Sequence, residues 1–217
     1  MSFVTIDLEH YPRRDHFEHF LNMAYPYAGV TAEMDVTELV AFCKERKYSF
    51  YLVFLHAAAL AADGVRELRQ RICGGQIHEY PHCPTSHIEL LDNGTYCYCT
   101  LRHQLPLEEF MAYAEEVRAA CRQKASIEEE PEVESMYFIS TMPWVHYTSL
   151  IQPVCGGEDS NPRITWGKFE ADAQGRKHLP VTILAHHSLV DGIHIARFYQ
   201  NLEREMWDVI GSGGESM

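Results

Sequence analysis

No run of about 18 apolar residues occurs in the chain, which excludes a membrane-spanning helix. A Gly-x-Ser-x-Gly elbow is also missing, so the usual serine-hydrolase turn has no place here. Basic residues are few. Eighteen Lys and Arg stand against 31 Asp and Glu, a formal charge of −13 that suits neither nucleic acid nor an anionic membrane as partner. A small local group of Lys or Arg remains enough to hold one anionic small molecule. No Cys-x-x-Cys pair is present, and the seven cysteines are odd in number and irregularly spaced, so no disulfide framework is indicated. His78, His82, Cys83 and His87 form a loose group, and Cys97 and Cys99 share one strand face. Neither set completes a tetrahedron, so no metal is expected and the thiols are read as free.

What is present is an ordinary globular composition, 46% hydrophobic and 23% charged over 217 residues. The expectation is one domain over residues 1–210, followed by a flexible Gly/Ser tail at 211–217. The N-terminal stretch lacks the apolar centre of a signal peptide, which points to the cytoplasm. "VTIDL" alternates as a strand, "RRDHFEHFLNM" has one apolar helical stripe, and "GVTAEMDV" returns to strand. Asp35 followed by Glu38 has the spacing of a capping box for a helix through about Arg46. "SFYLVFLHAAALAADG" is apolar all round, the mark of a buried helix. "RQRIC", "QIHEY", "SHIELLD" and "TYCYCT" read as strands joined at "GG" and "NG" turns, and "LPLEEFMAYAEEVRAACRQK" as a long amphipathic helix. "SMYFIST", "HYTSLIQ", "RITWGKFEAD" and "HLPVTILAHH" complete the strands, and a last helix is expected from about Asp191 to Trp207. The fold class is α+β, a mixed sheet flanked by helices.

One stretch concentrates chemistry: "HHSLVDGIHIARFYQNLE", where two histidines end an apolar strand and Asp191-Gly192 opens a helix. A strand-end histidine can be held by packing while its ring faces a cleft. Its ordinary pKa of about 6.5 then leaves it neutral at pH 7 and able to take a proton. Asp191 can cap the helix that follows. On spacing alone, His-x-x-x-Asp-Gly is a weak signal, and a helix cap beside a buried core histidine is the more economical explanation.

"HYPRRDHFEHF", "FYLVFLHAAALA", "FISTMPWVHYTSL" and "HHSLVDGIHIARFYQNL" occur in one order over nearly the whole chain. Together they resemble the chloramphenicol acetyltransferases of the histidine-dependent, trimeric type. The resemblance implies that family's CoA-dependent acyltransferase fold, a homotrimer with each active site between subunits, and acetyl-CoA as co-substrate. It also implies direct acetyl transfer to a hydroxyl of a small molecule, most simply chloramphenicol, without an acyl-enzyme.

By the same resemblance His187 is the general base and Ser140 the donor to the tetrahedral oxyanion. Asp191 pairs with an N-terminal arginine, Arg13 by counting from "HFE", with Arg14 as the alternative. Trp144, Lys168 and Phe169 fall where the family meets CoA, and Thr165 lies near the acceptor hydroxyls. The sequence departs from the antibiotic-inactivating members after the first helix. Their Cys-Gly-Phe run walls the acceptor pocket, whereas "AYPYAGVT" puts Pro26 and Ala28 at the cysteine and phenylalanine. Phe20, Tyr25, Tyr27 and Tyr96 are the aromatics available to rebuild that wall.

Competing expectations are an acetyltransferase for another hydroxyl acceptor and a non-catalytic trimeric binding protein of the same fold. Dihydrolipoyl acyltransferase cores share His-x-x-x-Asp-Gly but normally follow lipoyl and linker segments, which are not seen here.

Overall fold

The computed structural model describes residues 2–128 and 130–212. In chain order the elements are β1 (Val4–Ile6), α1 (Arg14–Leu21), β2 (Tyr27–Asp35), α2 (Thr37–Arg46) and α3 (Phe50–Asp63). Then come β3 (Gln70–Cys73), β4 (Gln76–Glu79), β5 (Thr85–Leu90), β6 (Tyr96–Leu101) and α4 (Leu107–Lys124). The C-terminal part holds β7 (Tyr137–Thr141), β8 (Arg163–Trp166), β9 (Glu170–Ala171), β10 (Lys177–His186) and α5 (Gly192–Ser212).

The main sheet runs β2-β10-β8-β7-β5-β6, with β9 also paired to β10. It is mixed, because β7 lies parallel to both β5 and β8 while the other pairs are antiparallel. A small antiparallel sheet, β1-β4-β3, stands beside it. Strand β10 explains the layering. Leu179, Val181, Ile183 and Ala185 alternate onto the helix-covered face and join the core formed with α3 and α5. Each fully buried Val or Ile there contributes about 1.5–3 kcal/mol relative to exposure. Thr182, Leu184 and His186 point to the opposite face.

Helix α3 is buried on every side, from Leu52 to Leu55 and again from Ala57 to Ala59, as its composition requires. Asp35 does act at the start of α2, but its Oδ1 accepts from the Thr37 backbone N–H (3.0 Å) instead of from the position a capping box would use. Helix α5 runs to Ser212, beyond the expected stop near Trp207 and into the first two tail residues; residues 213–217 of that tail lie outside the described residues.

Two strand expectations are corrected. Residues 146–152 are irregular, and they lie over the sheet face instead of within its plane. Tyr147 is buried there because its hydroxyl donates to the Thr165 carbonyl (2.8 Å) on β8 below. The stretch "RITWGKFEAD" breaks at Gly167, whose position leaves no room for a side chain. A Cβ there would sit 2.6 Å from the Val145 carbonyl and 2.9 Å from Pro180. The crossing of the 142–146 loop therefore splits β8 from β9.

Candidate active site

His186 ends β10 and His187 follows it, so the pleat sends their rings to different sides. His186 is buried; its Nε2 donates to the Gly157 carbonyl (2.7 Å), and its Nδ1 accepts from the Ser188 N–H (3.2 Å). Burial holds its pKa below the ordinary histidine value. Both ring nitrogens are committed to structure.

His187 is only partly buried, with 31% of its side chain exposed. Its Nδ1 lies 2.9 Å from the Val190 carbonyl, which can only accept, so Nδ1 carries the proton and Nε2 is left with a lone pair. The ring stacks on Phe20, centroids 3.8 Å apart at 19°. Its backbone N–H donates to the Pro26 carbonyl (2.8 Å), fastening the turn to the segment before β2.

Asp191 reaches this turn from the other side. Arg13 grips its carboxylate with both terminal nitrogens, Nη2 to Oδ1 at 3.0 Å, and the same Nη2 approaches the His187 carbonyl at 3.4 Å. Arg14 instead pairs with Glu18 on the surface of α1 (2.9 Å). The carboxylate of Asp191 is thus spent on Arg13. The capping contact is made by His194, whose Nδ1 accepts from the Asp191 N–H (2.8 Å). Asp191 Oδ1 also stands 3.3 Å from His187 Nδ1.

Ser140 and Thr165 lie elsewhere. They are register partners on β7 and β8, and Thr165 is in turn paired with Thr182 on β10, five residues before His187. At about 3.3 Å per residue and about 4.8 Å per strand, Ser140 and His187 are roughly 19 Å apart within one chain. Ser140 and Thr165 wall a cavity of about 370 Å³ between the sheet face and the 142–162 loop. Its aromatic wall is Tyr98 and Phe138, with Ile88, Met142 and Leu150 adding apolar surface. Within one chain Phe20, Tyr25 and Tyr27 lie beside His186 and His187, and Tyr96 lies on the far edge strand β6. Phe20 backs the His187 ring. Tyr25 packs on Tyr27 (5.1 Å), and Tyr27 donates to the Asp159 carbonyl (2.9 Å). Tyr96 opens β6 two residues before Tyr98, opposite Leu90 and outside the cavity lining.

The loop carrying Trp144 is tied to the strand break at Gly167: Met142 N–H donates to the Trp166 carbonyl (2.9 Å) and Lys168 N–H to the Val145 carbonyl (2.9 Å). This brings Trp144, 72% exposed, into one patch with the exposed Lys168. Phe169 instead turns toward the core edge and meets Phe50 edge-on (5.7 Å, 70°). The loose histidine and cysteine group is dispersed. His82 bonds Asp63, His87 bonds Glu89, and His78 stacks on Phe3. Among the described residues no cluster of three or more His, Cys, Asp or Glu is arranged to hold a metal ion.

Several working residues carried no sequence signal. The Val190 carbonyl, the His194 cap and Gln152 in the cavity wall are visible only once the turn and the loop are folded.

The profile of the family described as chloramphenicol acetyltransferase matches residues 1–203. The chain belongs to that family. A chloramphenicol acetyltransferase of Klebsiella sp is 28% identical over 209 residues, covering 94% of this chain and 93% of the relative. A solved chloramphenicol acetyltransferase superposes with a TM-score of 0.84 at 23% identity, over 94% of this chain and 100% of the other. A dihydrolipoamide acetyltransferase of Azotobacter vinelandii superposes at 0.68 and 17% identity, over 90% and 86%. The family's architecture is the one seen here, an α+β fold built on a mixed sheet with flanking helices.

Proposed function

We propose that the protein is an O-acetyltransferase that moves the acetyl group of acetyl-CoA to a hydroxyl of chloramphenicol. Family membership over almost the full chain supplies the reaction, and its relatives carry chloramphenicol in their names. The observation that carries the chemistry is the His187 ring, whose Nδ1 proton is committed to the Val190 carbonyl and whose Nε2 is therefore basic.

In this mechanism Nε2 takes the proton of the acceptor hydroxyl as its oxygen attacks the thioester carbonyl. The tetrahedral oxyanion accepts a hydrogen bond from Ser140. Collapse breaks the carbon–sulfur bond, and the leaving thiolate receives the proton held by His187. No acyl-enzyme forms. Trp144 offers an exposed aromatic face for the nucleotide or pantetheine of acetyl-CoA, and neighbouring Lys168 offers a charge for phosphate.

The distance between His187 and Ser140 within a chain supports a site shared between subunits, as in the homotrimer the resemblance implies. In it, His187 of one copy would meet the cavity of the next. Exposed apolar residues on the cavity side of the sheet, Ile88, Leu90 and Tyr96, together with Ile151 of the covering loop, fit burial by a second copy. Use of acetyl-CoA, an intracellular metabolite, supports a cytoplasmic reading. Among the described residues no helix is long and apolar enough to cross a membrane.

The test is thiol release from acetyl-CoA against a panel of hydroxyl acceptors that includes chloramphenicol. Turnover with chloramphenicol is expected. Turnover with other alcohols alone would move the assignment to another acceptor, and turnover with none would favour a binding protein.

A further inference from the structure

Gln152 lines the cavity between apolar neighbours, Ile151 and Pro153, on the loop that covers the sheet. Thr165, itself buried, donates its hydroxyl to Gln152 Oε1 (3.0 Å). That bond satisfies the only proton the Thr165 side chain has, and it fixes which end of the amide faces the strand. The other end, Nε2, is buried without a hydrogen-bond partner among the described residues. A buried amide donor with nothing to donate to is rare and unfavourable, and a ligand oxygen arriving in the cavity would complete it.

The wall's charge narrows the ligand. Arg163 also lines the cavity, but its guanidinium is held two-pronged by Asp159 (3.1 and 2.5 Å) and by the Asn161 carbonyl (3.0 Å). The cation is already neutralised, so nothing here calls for a carboxylate or phosphate. The open position suits an uncharged oxygen.

We propose that Gln152 is a specificity-determining residue whose Nε2 donates to a neutral oxygen of the acceptor alcohol, removed from the hydroxyl that is acetylated. The site thereby selects acceptors with a second hydroxyl, an amide carbonyl or a nitro group at that place over those with hydrocarbon there. This rests on the acetyltransferase reading, in which the acceptor occupies the Ser140–Thr165 cavity.

Calorimetric titration of the assembled protein tests it with chloramphenicol and three analogues, each altered at one oxygen: the 1-hydroxyl removed, the amide carbonyl reduced to methylene, the nitro group replaced by hydrogen. Wild type should bind the parent about tenfold more tightly than one of the three, the size expected for a lost neutral hydrogen bond. Gln152→Leu should bind the parent and that analogue equally, and keep the wild-type ratios for the other two. Gln152→Met, unbranched like glutamine, repeats the measurement if leucine disturbs the loop. The inference is overturned if the substitutions change all four ligands by one factor, or if chloramphenicol binds neither protein. Thiol release on the same samples separates the two readings. A protein with the binding pattern but no turnover keeps the Gln152 assignment and loses the acetyltransferase. Turnover without the pattern does the reverse.

Discussion

Arg13 and Asp191, 178 positions apart in the chain, are joined by a two-pronged ion pair, and the same guanidinium reaches the His187 carbonyl. The pair thus ties the segment before α1 to the turn that carries the proposed base. Asp191 stands beside Nδ1 of His187 and not beside Nε2, so in the proposed mechanism its role is positional.

Replacing Asp191 with Asn should lower stability and activity together. The pair is only partly exposed, 14% and 33% by side chain, so the loss should be about 1–2 kcal/mol, below that of a fully buried pair. Urea unfolding and kcat/KM measured side by side check this. Activity lost at unchanged stability would instead argue for a direct chemical role.

His187→Ala should reduce acetyl transfer toward the upper end of the roughly 10²–10⁴-fold range of a general base, while acetyl-CoA binding changes little. His186→Ala should do the opposite and cost mainly stability, because that ring is buried and bonded to Gly157. Steady-state rates and thermal unfolding of both variants decide it, and a dead His186→Ala beside an active His187→Ala would reverse the assignment.

Ser140→Ala should lower kcat by about 10²-fold or more with KM nearly unchanged, as for loss of an oxyanion donor. A variant with raised KM and intact kcat would make Ser140 a contact for the bound ground state.

Mild acid should destabilise the fold through its buried histidines. His56, His87, His186 and His194 all have pKa values pushed down, in each case first by burial. The unfolded chain binds protons on these rings below about pH 6.5 while the folded chain resists, so stability falls as pH drops through that point. Glu89 behaves differently. Burial alone would raise its pKa, but hydrogen bonds from His87 and Arg118 bring it to about 2, so its contribution survives until far lower pH. Denaturant midpoints at pH 7.5 and 5.5 should show the loss, and equal midpoints would refute it.

Sedimentation equilibrium should give about three times the 25.0 kDa chain mass. A stable monomer with full activity would be incompatible with a site split between Ser140 of one copy and His187 of the next.

Some of this protein was written in local pattern. A 14-residue helix whose only strongly polar side chains are His56 and the terminal Asp63 has little to offer water, and α3 is largely buried. The alternation of β10 and the doubled histidine at its end placed one ring in the structure and one at a turn, because successive side chains on a strand take opposite faces. The ordered motifs at the two ends and in the middle were enough to reveal the family. Tertiary structure decided the rest, since each remaining point depends on residues far apart in the chain. Arg13 and Arg14 are equivalent by composition; counting along the resembling motif favoured Arg13, and the orientation of helix α1 puts Arg13 on Asp191 and Arg14 on Glu18. The alternation of "HYTSLIQ" is the same whether a segment lies in a sheet or across its face. Loop packing onto Thr165 chose the second, and so put Gln152 in the cavity. The aromatics are divided for a related reason: Phe20, Tyr25 and Tyr27 gather beside His186 and His187, whereas Tyr96 lies on β6 at the other edge of the sheet, so within one chain they share a chemistry but not a place.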